Sequence, residues 1–134
     1  MGDIETLDIS GDLGIRVFAS TLEDIFITAA LGFYSLTTSI DAVAAITTAA
    51  ISVNEDSTER LLIAWLNELI YLFDTDGFVG RQITIEFLDN HQCSALIKGE
   101  TFNPDKHGSG YLIKAATYHN LKLEKCESGW RFRV

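Results

Sequence analysis

The chain has 134 residues, 47% of them hydrophobic, and its ten Lys and Arg against nineteen Asp and Glu give a net charge of −9. This length predicts a single domain, residues 1–134, with a sizeable buried core. The negative charge argues against direct nucleic-acid binding, because surfaces that bind phosphates cluster Lys and Arg. The acidic start MGDIETLDIS is unlike a signal peptide, and the apolar run at 61–73 is too short to span a bilayer. We therefore expect a cytoplasmic protein without membrane contact.

The first part of the chain predicts a strand, a helix and a second strand. Residues 14–19 alternate as a strand does, and Ser20 and Glu23 then form a capping box, which predicts a helix over residues 20–36. Apolar residues in this helix recur at steps of three and four and form one face: Leu22, Ile25, Phe26, Ala29 and Phe33. The β-branched, alternating residues 46–53 predict a strand.

A second helix is predicted over residues 57–73, beginning near Asp56, with Glu59 three residues further on. Its apolar stripe is wide, so we expect it to be buried between other layers. The stripe comprises Leu61, Leu62, Trp65, Leu66, Leu69, Ile70, Leu72 and Phe73.

The stretch DTDG at 74–77 follows this helix and invites comparison with a calcium-binding loop. It lacks the third Asp or Asn before the glycine and the Glu at loop position twelve. The pattern instead favours a helix end, with Gly77 at positive φ.

The remainder of the chain predicts strands, at 81–88, 92–100, 111–125 and 130–134. Asp89-Asn90, Asn103-Pro104-Asp105 and Ser128-Gly129 would supply the turns between them. Two helices followed by several strands predict an α+β fold, with the helices packed on a mainly antiparallel sheet.

Few residues suggest catalytic or metal chemistry on their own. Cys93 and Cys126 lack CxxC spacing, which favours buried thiols in a reducing compartment. No nucleophile-elbow, phosphate-loop or HExxH motif is present. Asp8 and Asp12 lie four residues apart, a spacing that suits either a hard-cation site or ordinary carboxylates at the start of a strand.

Residues 106–119, KHGSGYLIKAATYH, concentrate hydrogen-bonding chemistry, with two of the three histidines, two lysines and two tyrosines. The first five residues suit a loop and the remainder a strand. Strand alternation would place Lys114 and Tyr118 on one face, with Ala116 between them. Two interpretations stay open from spacing alone, a solvated surface and a working surface that includes His107 and His119.

Three segments, in the same order, resemble the archease family over nearly the whole chain, most weakly at 38–56. SGDLGIRVFASTLEDIFITAALGFYSL is similar to the family's opening strand and first helix, and RLLIAWLNELIYLFDTDGFV to its second helix. The run GETFNPDKHGSGYLIKAATYHNLKLEKCESGWRFRV resembles its C-terminal half, with a Gly-Glu, a histidine-containing loop and a Lys-Ala-x-Thr-Tyr-His strand.

The resemblance implies an accessory protein with no catalytic residues of its own, built on a strand-helix-strand-strand (SHS2-type) module. Archeases assist the GTP-dependent RtcB-type RNA ligase in tRNA splicing and RNA repair by promoting guanylylation of the ligase histidine and repeated turnover. A chaperone-like role toward tRNA methyltransferases also belongs to the family. His107, Lys114, Tyr118 and His119 would then form the surface that contacts the partner.

The family also implies a metal site, often occupied by calcium, which carries over to Asp12. The preceding family positions hold Ile9, Ser10 and Gly11 here, so only the last residue of the His-Thr-Ala-Asp motif is present. The sequence ends at Val134, before the position of the family's second aspartate. We therefore expect at most weak binding of calcium or another divalent cation, because a hard cation needs six or more oxygen ligands.

Two alternative functions remain open at this stage. A general protein-interaction module would use the same fold without a ligase, because fold does not determine function. A small-ligand-binding protein or enzyme would use His107, Lys114 or His119 for proton transfer.

Overall fold

The structure is a computed structural model that describes residues 3–9, 12–103, 122–126 and 129–133, with side chains described for residues 17–103. A short 3-10 helix, Ile40–Ala42, follows the first α-helix. The helices and strands in chain order are β1 (Asp3–Ile9), β2 (Asp12–Ala19), α1 (Leu22–Thr37), β3 (Thr47–Asn54), α2 (Thr58–Asp76), β4 (Phe78–Leu88), β5 (Gln92–Thr101), β6 (Lys122–Cys126) and β7 (Gly129–Arg133).

The described strands form two antiparallel sheets rather than the one sheet predicted. One sheet has the order β1-β2-β7-β6 and the other β3-β5-β4. The second sheet consists of β3, β4 and β5, and α2 lies between β3 and β4 in the sequence. These four consecutive elements form the expected strand-helix-strand-strand unit. The predicted α+β class, with two helices and antiparallel strand pairing, is confirmed.

Most of the strand predictions agree with the structure, with two exceptions. β1 was not predicted, because its acidic residues suited a loop as well as a strand. The predicted strand 111–125 lies mostly outside the described residues, and only its end is seen, in β6. The predicted turn at Asp89 is confirmed: its Oδ1 accepts hydrogen bonds from the backbone N–H groups of His91 and Gln92, at 2.8 and 2.7 Å.

Both helices are capped one residue later than predicted. The Thr21 side chain caps α1 by accepting from the Asp24 N–H at 3.1 Å, so the Ser20 capping box is wrong. Ser57, not Asp56, caps α2 in the same way, accepting from the Arg60 N–H at 3.2 Å. In each case two neighbouring residues are suitable caps, and the sequence alone does not choose between them.

The DTDG stretch ends α2, as its sequence favoured. α2 continues to Asp76, and Gly77 adopts φ 64°, the left-handed conformation common after a helix. The Gly77 N–H donates to the carbonyls of Leu72 and Phe73. This arrangement satisfies carbonyl groups that the helix leaves without intrahelical partners.

Among the described elements, α1 contacts both sheets, and the wide apolar stripe of α2 packs against α1 and the second sheet. α1 packs on β1, β2 and β7 of the first sheet and on β4 of the second, whereas α2 contacts α1 and the three strands of the second sheet. Small buried residues, Ala29, Ala30 and Gly32, let α1 approach its neighbours closely. α2 leaves one large side chain, Tyr71, 59% exposed.

Trp65 joins the two helices. Its indole N–H donates to the Phe26 carbonyl at 3.0 Å, and the two rings lie 6.0 Å apart. Both side chains are fully buried. The contact combines apolar burial with satisfaction of the one polar group of the indole, as buried tryptophans require.

Replacing Tyr34 with phenylalanine is expected to raise the free energy of unfolding by about 1 kcal/mol. The Tyr34 side chain is fully buried, and its hydroxyl has no hydrogen-bond partner among the described residues. Burial raises the pKa of this phenol well above its usual value, so the group stays neutral. Urea denaturation measures the change, with the exposed Tyr71→Phe as the control that should have no effect. A clear loss of stability in Tyr34→Phe would show that the hydroxyl has a partner.

Stability is expected to fall above pH 9 because of Cys93, which is buried and forms no disulfide. Burial raises the pKa of its thiol from 9.0 to about 12. Between pH 9 and 12 the Cys93 thiol ionises in the unfolded chain but not in the folded protein. The free energy of unfolding that is present below pH 9 is therefore lost as the pH rises toward 12.

A Cys126→Ser background isolates the Cys93 thiol, since the Cys126 side chain lies outside the described residues. In this background we expect Cys93 to react with a thiol reagent only after unfolding, and the added Cys93→Ala substitution to reduce the alkaline loss of stability. Rapid labelling of the folded protein at pH 8 would refute the burial of this thiol.

Candidate functional site at the end of β5

The sequence-predicted partner-contact residues, His107, Lys114, Tyr118 and His119, lie outside the described residues. Their role as a contact surface stays a prediction. The segment that holds them begins after β5, in the three-stranded sheet, and ends before β6, in the four-stranded sheet. It therefore connects the two sheets, and the described residues show how its first end is held.

Asp12, the predicted metal ligand, is the first residue of β2. Its backbone pairs with Ile9 of β1, so Asp12 lies where the β1–β2 hairpin closes. Its side chain is outside the described part of the chain. Within the described part, no three His, Cys, Asp or Glu side chains come together as a metal site would require. Those residues alone therefore do not fit a cation.

Glu100 is the buried acidic residue at the end of β5, with 8% of its surface exposed. Its Oε2 accepts a hydrogen bond from the Ala44 N–H at 2.5 Å. A carboxylate acceptor makes this a charge-assisted bond, stronger than one between neutral groups. Glu100 thus fixes the connection between the 3-10 helix and β3 against the end of β5.

Gly99 holds the same connection from the neighbouring position. Its carbonyl accepts from the Ile46 N–H at 3.0 Å and from the Thr47 hydroxyl at 3.1 Å. On its other side Gly99 pairs with Gly80 of β4, and a Cβ on Gly99 would lie 1.8 Å from the Val79 carbonyl oxygen. Only glycine permits this approach, because the obstruction is backbone and no rotamer change relieves it.

The partner glycine, Gly80, is equally confined, but by side chains. A Cβ there would lie 2.6 Å from Ile97 Cγ2 and 2.7 Å from the Tyr34 ring. The extra residue that follows, Arg81, interrupts the β4–β5 register and lies 3.6 Å from Asp41 through its guanidinium. That ion pair is exposed and contributes little to stability.

Phe102 holds the chain in place directly after β5, just before the described stretch ends at residue 103. Its N–H donates to the Gly77 carbonyl at 2.6 Å, and its ring lies 5.3 Å from the Phe73 ring. The stretch Gly99–Phe102 is therefore held by the 43–47 connection, by β4 and by the end of α2. The sequence did not indicate a structural role for Gly99 or Glu100. The one available signal for such a role was an acidic residue next to a glycine in an alternating strand.

The described helices are too short or too polar to form a membrane span.

The candidate site is the anchored end of β5, which leads into a segment rich in His, Lys and Tyr. Side chains of these types can contact a partner through hydrogen bonds and positive charge.

Comparison with known proteins gives relatives over nearly the whole chain. A protein archease of Methanosarcina mazei is 31% identical, covering 97% of this chain and 92% of the relative. One from Thermococcus kodakarensis is 34% identical, covering 93% and 90%.

Two solved structures share the fold. The solution structure of Methanobacterium thermoautotrophicum protein 1598 has a TM-score of 0.79 at 24% identity, covering 98% of this chain and 95% of that one. The crystal structure of a Thermotoga maritima archease, a possible chaperone, has a TM-score of 0.66 at 19% identity, covering 97% and 93%. A family model matches residues 5–134, and because it extends over almost the entire sequence, the chain belongs to the Archease protein family.

Proposed function

We propose that this protein is a non-enzymatic accessory factor of an RtcB-type RNA ligase, promoting its guanylylation and repeated turnover in tRNA splicing and RNA repair. Membership of the archease family over residues 5–134 carries the proposal. The Gly-Glu and Lys-Ala-x-Thr-Tyr-His sequences that first suggested the family lie at the anchored end of β5 and in the segment beyond it.

The distribution of charge supports a contact through residues 106–119. Residues 17–103 contain twelve Asp and Glu but only three Lys and Arg. The segment 106–119 has no acidic residue and carries Lys106, Lys114 and two histidines. On an acidic protein, this is where a negatively charged nucleotide or acidic surface of a partner would be favoured. The acidic excess of residues 17–103 would repel RNA, so direct binding of nucleic acid is not proposed.

The proposal is tested by following covalent transfer of labelled GMP to a purified ligase. We expect guanylylation to be faster when this protein is added in stoichiometric amount. An unrelated protein of similar size and charge serves as the control. Equal rates with and without the protein, for a ligase that binds it, would refute the accessory role.

The cation proposal is that Asp12 is the main side-chain ligand of a weak divalent-cation site. Calorimetric titration with calcium is expected to give a dissociation constant above about 1 μM, since one carboxylate supplies few of the required oxygens. Asp12→Ala should abolish the heat of binding, while Asp8→Ala, the neighbouring carboxylate, should leave part of it. Submicromolar affinity, or tight binding that survives Asp12→Ala, would contradict this assignment.

A second candidate function is a chaperone-like role, which the Thermotoga maritima protein's description as a possible chaperone favours. A tRNA methyltransferase is the partner to test. This role predicts that the protein suppresses methyltransferase aggregation at equimolar concentration, measured by light scattering. No suppression at a tenfold excess would exclude it.

A further inference from the structure

β3 is an edge strand without the features that usually protect such edges. Among the described residues it pairs with β5 on one side and with no strand on the other. Its eight residues, TTAAISVN, include no charge and no proline, and they pair with β5 without a register shift. Regular, uncharged edges are templates for another strand, and natural proteins usually block them.

The other edge of the same sheet, β4, is blocked in the usual way. Its pairing with β5 is interrupted between Gly80 and Gln82 and again between Ile85 and Phe87. The two extra residues are Arg81 and Glu86, the only charged residues of the strand. Bulges and charges of this kind discourage edge pairing. Within the part of the chain that the structure describes, the contrast between the two edges singles out β3 as the edge suited to pairing with another strand.

The backbone groups that β3 offers follow from its ladder with β5. The Glu55 N–H donates to the His91 carbonyl, and hydrogen-bonded positions alternate along an antiparallel pair. Odd-numbered residues of β3 therefore bond to β5, and even-numbered residues point their N–H and C=O groups outward. The outward set is Thr48, Ala50, Ser52 and Asn54, whose side chains are also exposed.

We propose that β3 pairs with β3 of a second copy of this chain, antiparallel about a two-fold axis at Ile51, to make a continuous six-stranded sheet. Opposite residues of such a pair point to the same face, so the register must match buried positions with buried positions. With the axis at Ile51, Ala49 of one copy lies opposite Val53 of the second copy, on the face of the sheet that packs against the helix. Ala50 lies opposite Ser52 on the outer face. The strand is therefore compatible with itself on both faces.

The charges around β3 favour this second copy as the occupant. Residues 43–54 carry no charge, although the chain as a whole is strongly acidic. The antiparallel arrangement places Glu55 and Asp56 of one copy beside the uncharged start of β3 in the other, so the carboxylates do not face each other.

The proposal is tested by sedimentation velocity over a range of protein concentrations at physiological salt. We expect a concentration-dependent dimer. Ala50→Lys should raise its dissociation constant by at least about tenfold, since the lysines of the two copies would be diagonal neighbours on the same face beside the axis and would repel each other. Thr84→Lys is the matched control, because Thr84 occupies the same rung of the sheet on β4, and it should leave the dimer unchanged.

Ala50→Pro is the second variant, since it removes an outward N–H that β5 does not use. It should also dissociate the dimer, while circular dichroism confirms that both Ala50 variants are folded. A wild-type chain that stays monomeric over the whole concentration range would overturn the proposal. A dimer that resists both folded Ala50 variants would overturn it equally.

The register is tested by disulfide cross-linking in a Cys126→Ser background. The proposed pairing places Ala50 and Ser52 of different copies opposite each other, at a Cα separation of about 5.5 Å that a disulfide can span. An equal mixture of Ala50→Cys and Ser52→Cys chains should therefore form a mixed disulfide dimer faster than either variant alone. Cross-linking at equal rates in all three samples would contradict the two-fold axis at Ile51.

Discussion

Replacing Gly99 with alanine is expected to lower the free energy of unfolding by more than about 3 kcal/mol. The added Cβ would lie 1.8 Å from the Val79 carbonyl oxygen and 2.8 Å from the Gly80 Cα. Because both obstructing groups are backbone, β4 and β5 would have to separate where the chain leads into the candidate site. Urea denaturation measures the loss.

Gly77→Ala is the matched control for this prediction. Gly77 needs its glycine for a positive φ of 64°, but a Cβ there would be 3.8 Å from its nearest neighbour, which is ordinary contact. Its replacement should therefore cost about 1 kcal/mol, the usual cost of a left-handed alanine. Equal effects of the two substitutions would show that the strands can separate easily at Gly99.

Lys114→Ala and His107→Ala are expected to reduce stimulation of ligase guanylylation by about tenfold or more while melting near the wild-type temperature. The loss of a charged contact across an interface costs on the order of 2 kcal/mol or more. Exposed polar residues, by contrast, change stability by about 0.5 kcal/mol or less. Guanylylation rates and melting temperatures, measured on the same preparations, separate the two effects.

Two residues in the described part provide controls of the same chemical type. His91, in the connection between β4 and β5, and Arg60, on α2, are exposed and lie outside residues 106–119, so His91→Ala and Arg60→Ala should stimulate the ligase normally. If Lys114→Ala and His107→Ala also stimulate normally, residues 106–119 are ordinary surface. If both variants unfold, the side chains are structural.

The sequence predicted the local structure well because helical and strand periodicities are local properties. α1, α2 and β2 to β5 lie within a few residues of their predicted positions. The cap positions were each one residue early, at Ser20 and Asp56, because the following residues, Thr21 and Ser57, are equally good caps.

The division into two sheets was not predicted, because it depends on which strands pair. Alternation shows that a segment is a strand but does not identify its neighbour. β2 pairs with β7, more than a hundred residues away, and β3 pairs with β5 across α2 and β4. The same limit applies to the helices: the apolar stripe of α2 predicts that the helix is buried, but it does not show that α1 and the second sheet cover it.

The candidate site was predicted from residue types and family resemblance, and the anchoring of β5 was not. A Gly-Glu pair at 99–100 has no local signature of burial, because the Glu100 carboxylate is satisfied by Ala44, 56 residues earlier in the chain. Similarly, the need for glycine at position 99 follows only from the approach of Val79 in β4. Both features come from long-range contacts, which periodicity does not report.

The accessory role is tested most directly by counting the RNA joints sealed per molecule of ligase with substrate in excess. In the presence of this protein we expect many joints per ligase molecule. In its absence, sealing should stop at about one joint, because the ligase is not guanylylated again efficiently. A ligase that binds this protein and seals the same number of joints with and without it would contradict the proposed function.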